Sequence, residues 1–362
     1  MNKKILHARS DARILIRAAN WVGDAIMTTP VIRAVRKNYP HAHITVLAKP
    51  WVVPVYAHNP HVDEVMVYEN TGRHRMGVGT WRLARDIRAR RFDLAILMQN
   101  AFEAALLAFL AGIPERVGYN TDGRTLLLKP WVTLDKALKK EHLIEYYKGI
   151  LHGVGLDSDG NAMDLYISED DRAHAAGFLA DNGLTAGGDG TPVLGINPGA
   201  TGGTAKRWFP ERYAELCRML SRRYGTKVLI FGGPADRELG DRISDMAPGC
   251  CVNGAGGTSL GQAFALIGAC DLFITNDSGL MHAAAAQDVP QVAVMGSTDY
   301  IATAPYSEAA VMVREPVDCS PCLKSECPTD HACMAGISAE RVFETGVKIL
   351  DRTFAPKEKP PV

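Results

Sequence analysis

Short apolar runs and amphipathic stretches alternate along the first half of the chain. Compact runs of aliphatic and β-branched residues bounded by turn residues are typical of buried strands, whereas apolar residues spaced three or four apart are typical of helices. The runs are RILIR, HITVLAK, VDEVMVY and FDLAILMQ, and the helical stretches include GTWRLARDIRARR and AFEAALLAFLAG. This alternation predicts an α/β domain with a parallel sheet covered by helices.

The second half repeats the alternation. Its strand candidates are PVLGINPGA, KVLIFGGP, CCVNGAG, LFITNDSG and QVAVMGS, with helices such as ERYAELCRMLSRRYG between them. Nearly every one of these strands ends in a glycine-bearing turn, and open parallel sheets hold their ligands outside the carboxyl ends of their strands. The pattern predicts two doubly wound domains, the second of which binds a ligand at that edge.

The length of the chain agrees with two domains, because 362 residues with 47% hydrophobic content exceed what a single core usually absorbs. A polar, glycine-rich passage, TAGGDGTP, favours a boundary there. We expect a first domain over residues 1–185, with a linker from about residue 156, and a second over 186–362. The second includes a cysteine-rich segment, 319–333, and the terminal helix SAERVFETGVKILDR, which can pack on either domain.

Charge and hydropathy exclude several partners. Lys plus Arg and Asp plus Glu are both 40, so the net charge is zero and no nucleic-acid partner is expected. No apolar run approaches the roughly 20 residues that span a bilayer, and the N-terminal stretch lacks the pattern of a signal peptide, so we expect a cytoplasmic protein. The first strand is not followed by GxGxxG and the chain has no Walker A motif, which removes the main support for the two commonest nucleotide sites.

The stretch NDSGLMHAAAA, residues 276–286, follows a strand and opens a helix. Asp277 and Ser278 are good N-cap residues, and the amides of Ser278, Gly279 and Leu280 would point out of the positive end of the helix. Such an end binds phosphate, and His282 lies near it. The alternative is a well-capped helix without a ligand.

Two further turns follow strands of the second half. In NPGATGGTAKRWFP, residues 197–210, Thr201, Thr204 and Lys206 are candidate contacts for a diphosphate, although a lone lysine in such a loop is usually only solvated. In FGGPADRE, Asp236 and Glu238 are candidate acceptors for ribose hydroxyls. The alternative for these two acids is ordinary charge at a helix N-terminus.

The stretch NWVGDAIMTTP, residues 20–30, follows the first strand. We expect Gly23 to permit a sharp turn, Thr28 or Thr29 to cap the helix that Pro30 begins, and Asp24 to project at the carboxyl edge of the first sheet. A carboxylate placed against a diphosphate donor acts as a general base on an acceptor hydroxyl. The alternative is that Asp24 is itself a helix cap.

These motifs, with RVGY at residues 116–119, resemble the ADP-heptose:lipopolysaccharide heptosyltransferases, glycosyltransferase family 9, over about residues 13–350. Within that family, NWVGDAIMTTP is more similar to the enzymes that add the second heptose than to those that add the first. The resemblance implies a GT-B fold, in which two Rossmann-like doubly wound domains face each other across a cleft, with ADP-heptose on the C-terminal domain and the lipopolysaccharide inner core on the N-terminal one.

The resemblance also implies inverting transfer without a metal or cofactor. Carried over by position, Asp24 matches the family's base, and Thr201 and Lys206 match its diphosphate contacts. Lys206 and the helix that begins at the 276–286 motif then stabilise charge on the leaving ADP. The positions that match the family's donor-binding turn are Asp277, Ser278, Gly279, Leu280 and His282.

The implied acceptor, heptosyl-Kdo-lipid A, is phosphorylated and rich in carboxylates, so polar and basic side chains of the first domain are candidate acceptor contacts. Arg73 and Arg75 are also expected to hold the protein at the cytoplasmic face of the inner membrane, whereas the arginines of WRLARDIRARR are expected on a solvated helix face. The candidate acceptor contacts are Asn20, Arg73, Arg75, Asn100, Arg116 and His142.

Four cysteines with His331 nearby fall in one short segment. Only the first spacing of Cys319, Cys322, Cys327 and Cys333 matches a common zinc knuckle, so reduced thiols in a folded loop are favoured over a structural zinc ion. No metal is expected to take part in the chemistry.

Two other classes of function stay open at this stage. One is a different GT-B enzyme, such as an enzyme that adds the first heptose or a nucleotide-sugar epimerase. The other is a non-catalytic protein that binds a nucleotide sugar.

Overall fold

The computed structural model describes residue 6 and residues 9–184 and 191–351. Contacts between residues divide the chain into two compact units, Met1–Tyr166 and Ile167–Val362. The domain boundary expected between residues 185 and 186 lies outside the described residues. None of the described helices is long and apolar enough to cross a membrane.

The first unit contains a five-stranded sheet in which all the paired strands are parallel, in the order β3-β2-β1-β4-β5. The first strand is central and almost fully buried, as its apolar run predicts. The four predicted strands are confirmed, and a three-residue edge strand is added to them. The strands are β1 Arg13–Arg17, β2 His43–Ala48, β3 Glu64–Val67, β4 Leu94–Leu97 and β5 Glu115–Val117.

The helices of the first unit follow these strands and cover the sheet. Apolar side chains of two of the helices, including Leu83, Ile87 and Leu107, pack with strand residues such as Leu15 and Leu97 in one core cluster. The helices are α1 Val22–Met27, α2 Thr29–Asn38, α3 Val53–Tyr56, α4 Val78–Ala89, α5 Phe102–Leu110 and α6 Leu143–His152.

The second unit contains a six-stranded sheet in the order β11-β10-β9-β6-β7-β8, again with parallel pairing. Read from the β8 edge, the order is β8-β7-β6-β9-β10-β11. This is the order of the strands in a doubly wound dinucleotide-binding sheet. The five predicted strands are confirmed, and β11 is added. The strands are β6 Leu194–Asn197, β7 Val228–Ile230, β8 Cys251–Asn253, β9 Leu272–Asn276, β10 Gln291–Met295 and β11 Ala310–Arg314.

The terminal helix belongs to the second unit, where Val342 and Leu350 are buried in one core cluster with Trp208 and Leu220. The helix Glu169–Asp181, on the first domain's side of the sequence-based boundary, also falls in this unit. The helices are α7 Glu169–Asp181, α8 Pro210–Tyr224, α9 Arg237–Met246, α10 Leu260–Gly268, α11 Gly279–Ala286, α12 Ala332–Ala335 and α13 Ala339–Leu350.

The strand order of each sheet marks a position for a ligand. The order in which strands are added changes direction between β1 and β4 in the first sheet and between β6 and β9 in the second, and a crevice forms outside the carboxyl ends of such parallel strand pairs. Asp24 and Asn100 follow β1 and β4, whereas Lys206 and Asp277 follow β6 and β9. These four predicted site residues therefore follow the strands at which the order changes direction.

Candidate active site

Lys206 and Asp277 meet at the reversal point of the second sheet. Lys206 ends a short 3-10 turn, Thr204–Lys206, and its Nζ lies 3.5 Å from Oδ2 of Asp277. The same carboxylate oxygen accepts a hydrogen bond of 3.3 Å from the hydroxyl of Thr303. The Asp277 side chain is only 5% exposed and that of Lys206 28% exposed. A buried carboxylate thus holds an ammonium group that solvent and a ligand can still reach.

Ser278 occupies the N-cap position of α11, but the expected side-chain cap is wrong. Its hydroxyl instead accepts a hydrogen bond of 2.7 Å from Nδ2 of Asn197, which also donates to Thr275 Oγ1 at 3.1 Å. Asn197 ends β6, so this contact ties the two central strands together beyond their ends. The Ser278 side chain therefore does not cap the first amides of α11, and the ligand contacts expected of Gly279 and Leu280 stay predictions.

The side chain of Asn276, the last residue of β9, fixes the loop that carries Lys206. Its Oδ1 accepts hydrogen bonds from the Trp208 backbone N–H at 3.1 Å and from the Tyr213 hydroxyl at 3.0 Å. Its Nδ2 donates to Pro198 O at 2.7 Å. Asn276 is fully buried, so these contacts are shielded from water and hold both ends of the loop against β9.

Thr201 and Thr204 are both exposed in this glycine-rich loop, and His282 lies buried within α11. Gly202 and Gly203 between the threonines have φ values of +97° and +129°, which L side chains rarely adopt. The glycines therefore set the path of the loop between β6 and Lys206. The ligand contacts expected of Thr201, Thr204 and His282 stay predictions.

Asp236 and Glu238 take different positions. The carboxylate of Asp236 accepts a hydrogen bond of 3.0 Å from the Gly233 N–H and lies 3.6 Å from the guanidinium of Arg207. It packs so closely on the loop after β6 that a Cβ atom at Gly199 would lie 2.6 Å from its Cγ. Glu238 is exposed in the first turn of α9. Asp236 is therefore the acid that lies beside the loop of Lys206.

Asp24 lies in the first turn of α1, and Tyr147 of α6 holds its carboxylate. The Tyr147 hydroxyl donates a hydrogen bond of 2.7 Å to Oδ1 of Asp24. Burial, and then the charge of Asp24, raise the pKa of Tyr147 well above its usual value, so this hydroxyl stays a donor. The arrangement fixes the orientation of the carboxylate that follows the central strand of the first sheet.

The expectation that Gly23 forms a sharp turn is wrong. Thr28 holds the N-cap position of α2, as expected, but its side chain makes no capping hydrogen bond. Helix α1 already begins at Val22, so Gly23 lies within its first turn. The hydroxyls of Thr28 and Thr29 donate backwards to the carbonyls of Ala25 and Ile26, at 2.7 and 2.8 Å. Both threonines are fully buried, so their hydroxyls cannot donate to water. They donate instead to nearby carbonyls of the preceding helix.

Asn100 follows β4 and lies in a hydrogen-bond network with a buried arginine. Its Oδ1 accepts from the guanidinium of Arg124, and its Nδ2 donates to the hydroxyl of Tyr146. Arg124 is 0% exposed, and burial lowers its pKa to about 10. Asn100 and Tyr146 line a cavity of about 400 Å³, which Lys139 also lines. This cavity is the candidate acceptor pocket of the first unit.

The other candidate acceptor residues lie in varied surroundings. Asn20, just after β1, accepts a hydrogen bond of 2.8 Å from the guanidinium of Arg17. Arg73 pairs with Asp86 at 2.7 Å on the surface, and Arg75 is exposed. Their acceptor contacts stay predictions.

Arg116 and His142 have structural tasks that the sequence did not indicate. The guanidinium of Arg116 donates to the carbonyls of Ile113, Pro114 and Leu127. Nδ1 of His142 accepts a hydrogen bond of 3.2 Å from the Ile144 N–H and caps α6. Since these atoms are engaged within the fold, the structure favours a structural role over acceptor binding for both side chains.

The four cysteines of segment 319–333 line a cavity of about 140 Å³ together with His331, and all four are free thiols. Burial raises the pKa of the Cys333 thiol, with the neighbouring cysteines adding to the effect. Within residues 9–184 and 191–351, no group of three or more His, Cys, Asp or Glu side chains is placed to hold a metal ion. The expectation that the chemistry needs no metal stays a prediction.

Comparison with known proteins places these features in one family. A family model described as glycosyltransferase family 9 (heptosyltransferase) matches residues 80–333. Lipopolysaccharide heptosyltransferase 2 of Salmonella typhimurium is 34% identical over 313 residues, which are 83% of this chain and 88% of that protein.

Solved structures extend the similarity to the fold. The structure of ADP-heptose LPS heptosyltransferase II from E. coli is 31% identical with a TM-score of 0.79, over 94% of this chain and 99% of that one. A glycosyl transferase family 9 structure from Veillonella parvula is 28% identical with a TM-score of 0.86, over 96% of this chain and 100% of the other.

Proposed function

Because the chain belongs to glycosyltransferase family 9, the family of the heptosyltransferases, we propose that it transfers L-glycero-D-manno-heptose from ADP-heptose to the heptose of the lipopolysaccharide inner core. The chain is a glycosyltransferase with the GT-B fold. The observation that carries the choice of reaction is its similarity to heptosyltransferase II of E. coli, which spans 94% of this chain and therefore residues of both units.

The second unit supplies the donor site in this proposal. Lys206, held by Asp277, and the amides at the start of α11 lie where the diphosphate of ADP-heptose would bind, beyond β6 and β9. They would stabilise the negative charge that builds on the diphosphate as the sugar departs. Asp236 packs against the same loop at Gly199, whereas Glu238 is exposed on α9, so Asp236 is the better candidate of the two for the ribose hydroxyls.

The first unit supplies the base and the acceptor site. Asp24, oriented by Tyr147, takes the proton of the acceptor hydroxyl as that oxygen attacks the anomeric carbon of the heptose. The bond from the anomeric carbon to the diphosphate oxygen breaks on the opposite face, so the configuration at that carbon inverts and ADP leaves with the bonding electron pair. The cavity lined by Asn100, Tyr146 and Lys139 is the pocket proposed for the acceptor.

One transfer assay tests the proposed acceptor. ADP-heptose is offered with lipopolysaccharide truncated after one heptose, or with lipopolysaccharide that lacks heptose, and the product is followed by mass spectrometry. Transfer to the heptose-bearing acceptor supports addition of the second heptose, whereas preference for the heptose-free acceptor contradicts it.

Titration calorimetry with ADP-heptose and with UDP-sugars tests the proposed donor. Tighter binding of a UDP-sugar than of ADP-heptose would contradict the choice of donor.

A surface of the first unit fits the proposed association with the cytoplasmic face of the inner membrane. Met76, Val78 and Trp81 are 90%, 68% and 64% exposed, and they lie among the arginines of residues 73–91. Basic side chains attract anionic lipid by about 1 kcal/mol each, and an aromatic side chain is stable at the headgroup level.

Vesicle sedimentation tests this surface. We expect the protein to sediment with vesicles that contain phosphatidylglycerol and not with pure phosphatidylcholine, and the double variant Met76→Ser and Trp81→Ser to lose most of this binding. A variant that changes Ile301 to Ser, exposed on the second unit, serves as the control. Equal binding of the double variant and the control would contradict the proposed surface.

A further inference from the structure

The cysteine-rich segment 319–333 contacts the turn that carries Lys206. The backbone N–H of Ala205 donates a hydrogen bond of 3.0 Å to Ser325 O, and Ala205 O lies 2.9 Å from Nε2 of His331. Ala205 is the residue before Lys206 and is 1% exposed. Both backbone groups of this buried residue are thus bound by the same segment.

The contact with His331 has a defined direction. A carbonyl oxygen only accepts hydrogen bonds, so Nε2 of His331 must carry the proton that it shares with Ala205 O. The imidazole also packs edge-on against Phe209, with ring centroids 5.6 Å apart. The ring is therefore held between the turn of Lys206 and the residue that precedes α8.

The loop before Lys206 approaches the segment too closely for a side chain. A Cβ atom added at Gly203 would lie 2.0 Å from Ser325 O, and the φ of +129° at Gly203 is unfavourable for any other residue. The glycine therefore allows the backbone of the segment to rest directly on the loop.

The segment is itself fixed to the second sheet. The Leu323 N–H donates to Ser297 O at 2.8 Å, and the Ser320 hydroxyl donates to Gly296 O at 2.7 Å, both just beyond the end of β10. On its other side, Cys333 is buried in the main core cluster of the second unit. Because segment 319–333 is bound to the end of β10 and to the core, it holds the turn of Lys206 in a fixed position relative to the sheet.

We propose that segment 319–333 positions Lys206 for catalysis by holding both backbone groups of Ala205, with His331 as the positioning residue. This inference rests on the proposed role of Lys206 at the diphosphate. It gives the segment a task in the transfer reaction that requires no metal bound by its cysteines.

Two substitutions at His331 distinguish the effect of its N–H donor from the effect of its aromatic ring. His331→Phe keeps an aromatic ring against Phe209 but removes the donor, whereas His331→Gln keeps an N–H donor. Glu326→Gln, an exposed change in the same segment, is the control. We expect His331→Phe to lower kcat/KM for ADP-heptose about tenfold and to weaken ADP binding in calorimetry, because a displaced ammonium loses its contact with the diphosphate.

We expect His331→Gln to recover most of this loss and Glu326→Gln to match the unsubstituted protein. In a Lys206→Ala background, His331→Phe should have no further effect on kcat/KM or on ADP binding, because the group that it positions is gone. Thermal unfolding of every variant identifies a general loss of folding. Equal effects of His331→Phe with and without Lys206, or ADP binding unchanged by His331→Phe, would overturn the inference.

The same experiments distinguish failure of the proposed function from failure of this inference. If the unsubstituted protein transfers no heptose, the proposed reaction is wrong, and the ADP titrations of the same variants still decide whether His331 positions Lys206. If it transfers heptose and His331→Phe behaves as Glu326→Gln does, only the positioning role is wrong.

Discussion

At the scale of single residues, the account depends on charged side chains that the fold holds in defined positions. Lys206 is partly exposed and paired with a buried carboxylate, so its ammonium is available to a diphosphate without a large rearrangement. The carboxylate of Asp24 accepts a hydrogen bond from the hydroxyl of Tyr147. Each of these contacts leads to a substitution with a measurable effect.

Replacement of Lys206 by Ala removes the cation proposed to stabilise the leaving ADP. A hydrogen bond to a charged group contributes about 1.5 to 3 kcal/mol, so we expect kcat to fall by about tenfold to a hundredfold and ADP to bind more weakly. Steady-state kinetics and calorimetry measure both effects. Lys227→Ala, an exposed lysine just before β7 at the amino edge of the same sheet, should change neither value.

Replacement of Tyr147 by Phe removes the hydrogen bond to Asp24 and keeps the buried ring. We expect kcat to fall about tenfold while the KM for ADP-heptose is unchanged, because the base loses its orientation and the donor site keeps all its contacts. The control is Tyr39→Phe, a buried tyrosine of the same unit that lies before β2. A Tyr147→Phe protein with normal kcat would show that Asp24 does not need this donor.

The sequence predicted the charged residues of the candidate site better than their partners. Asp24, Lys206 and Asp277 come shortly after the ends of predicted strands, so their positions followed from local pattern. Tyr147, by contrast, lies 123 positions from Asp24 along the chain, and Thr303 lies 26 positions from Asp277. Such partners depend on how distant elements pack, which no local spacing records.

At the scale of elements, the pattern of apolar runs predicted every strand except one edge strand of each sheet, β5 and β11. Strand β5 has three residues, and β11 has only one buried residue. An edge strand that is short or half exposed lacks the apolar run by which a buried strand is recognised. The N-cap positions of Thr28 and Ser278 were predicted, but their side-chain caps were not formed, because their hydroxyls bond to groups other than the first amides of the next helix.

Helix α13 gives a test at this scale, since the sequence left open which domain it covers. Leu350 is 1% exposed in the core cluster of the second unit, so we expect Leu350→Ala to lower the free energy of unfolding of that unit by about 2 to 5 kcal/mol. Denaturant unfolding, monitored with and without ADP, measures the change. Lys348→Ala on the exposed face of the same helix is the control, and equal stability of the two variants would contradict the packing.

At the scale of the whole molecule, the two units carry separate parts of the proposed reaction. The second unit holds the cation and the helix terminus for the donor, and the first holds the carboxylate and the pocket for the acceptor. The doubly wound sheets were predictable from sequence because strand and helix periods alternate throughout. The identities of the sugar and of the acceptor were not predictable in this way, because a phosphate-binding turn contacts neither of them. They were inferred from the resemblance to a family.

The central claim is that Asp24 is the general base that takes the proton of the acceptor hydroxyl, and Asp24→Asn tests it most directly. Turnover of ADP-heptose with the heptose-bearing acceptor and the Kd for ADP-heptose are measured on the same preparations, with Asp11→Asn, an exposed carboxylate of the first unit, as the control. We expect kcat to fall by about 10² to 10⁴ with the Kd unchanged, because a general base is lost and the donor site is intact. An Asp24→Asn protein that keeps its kcat would contradict the account.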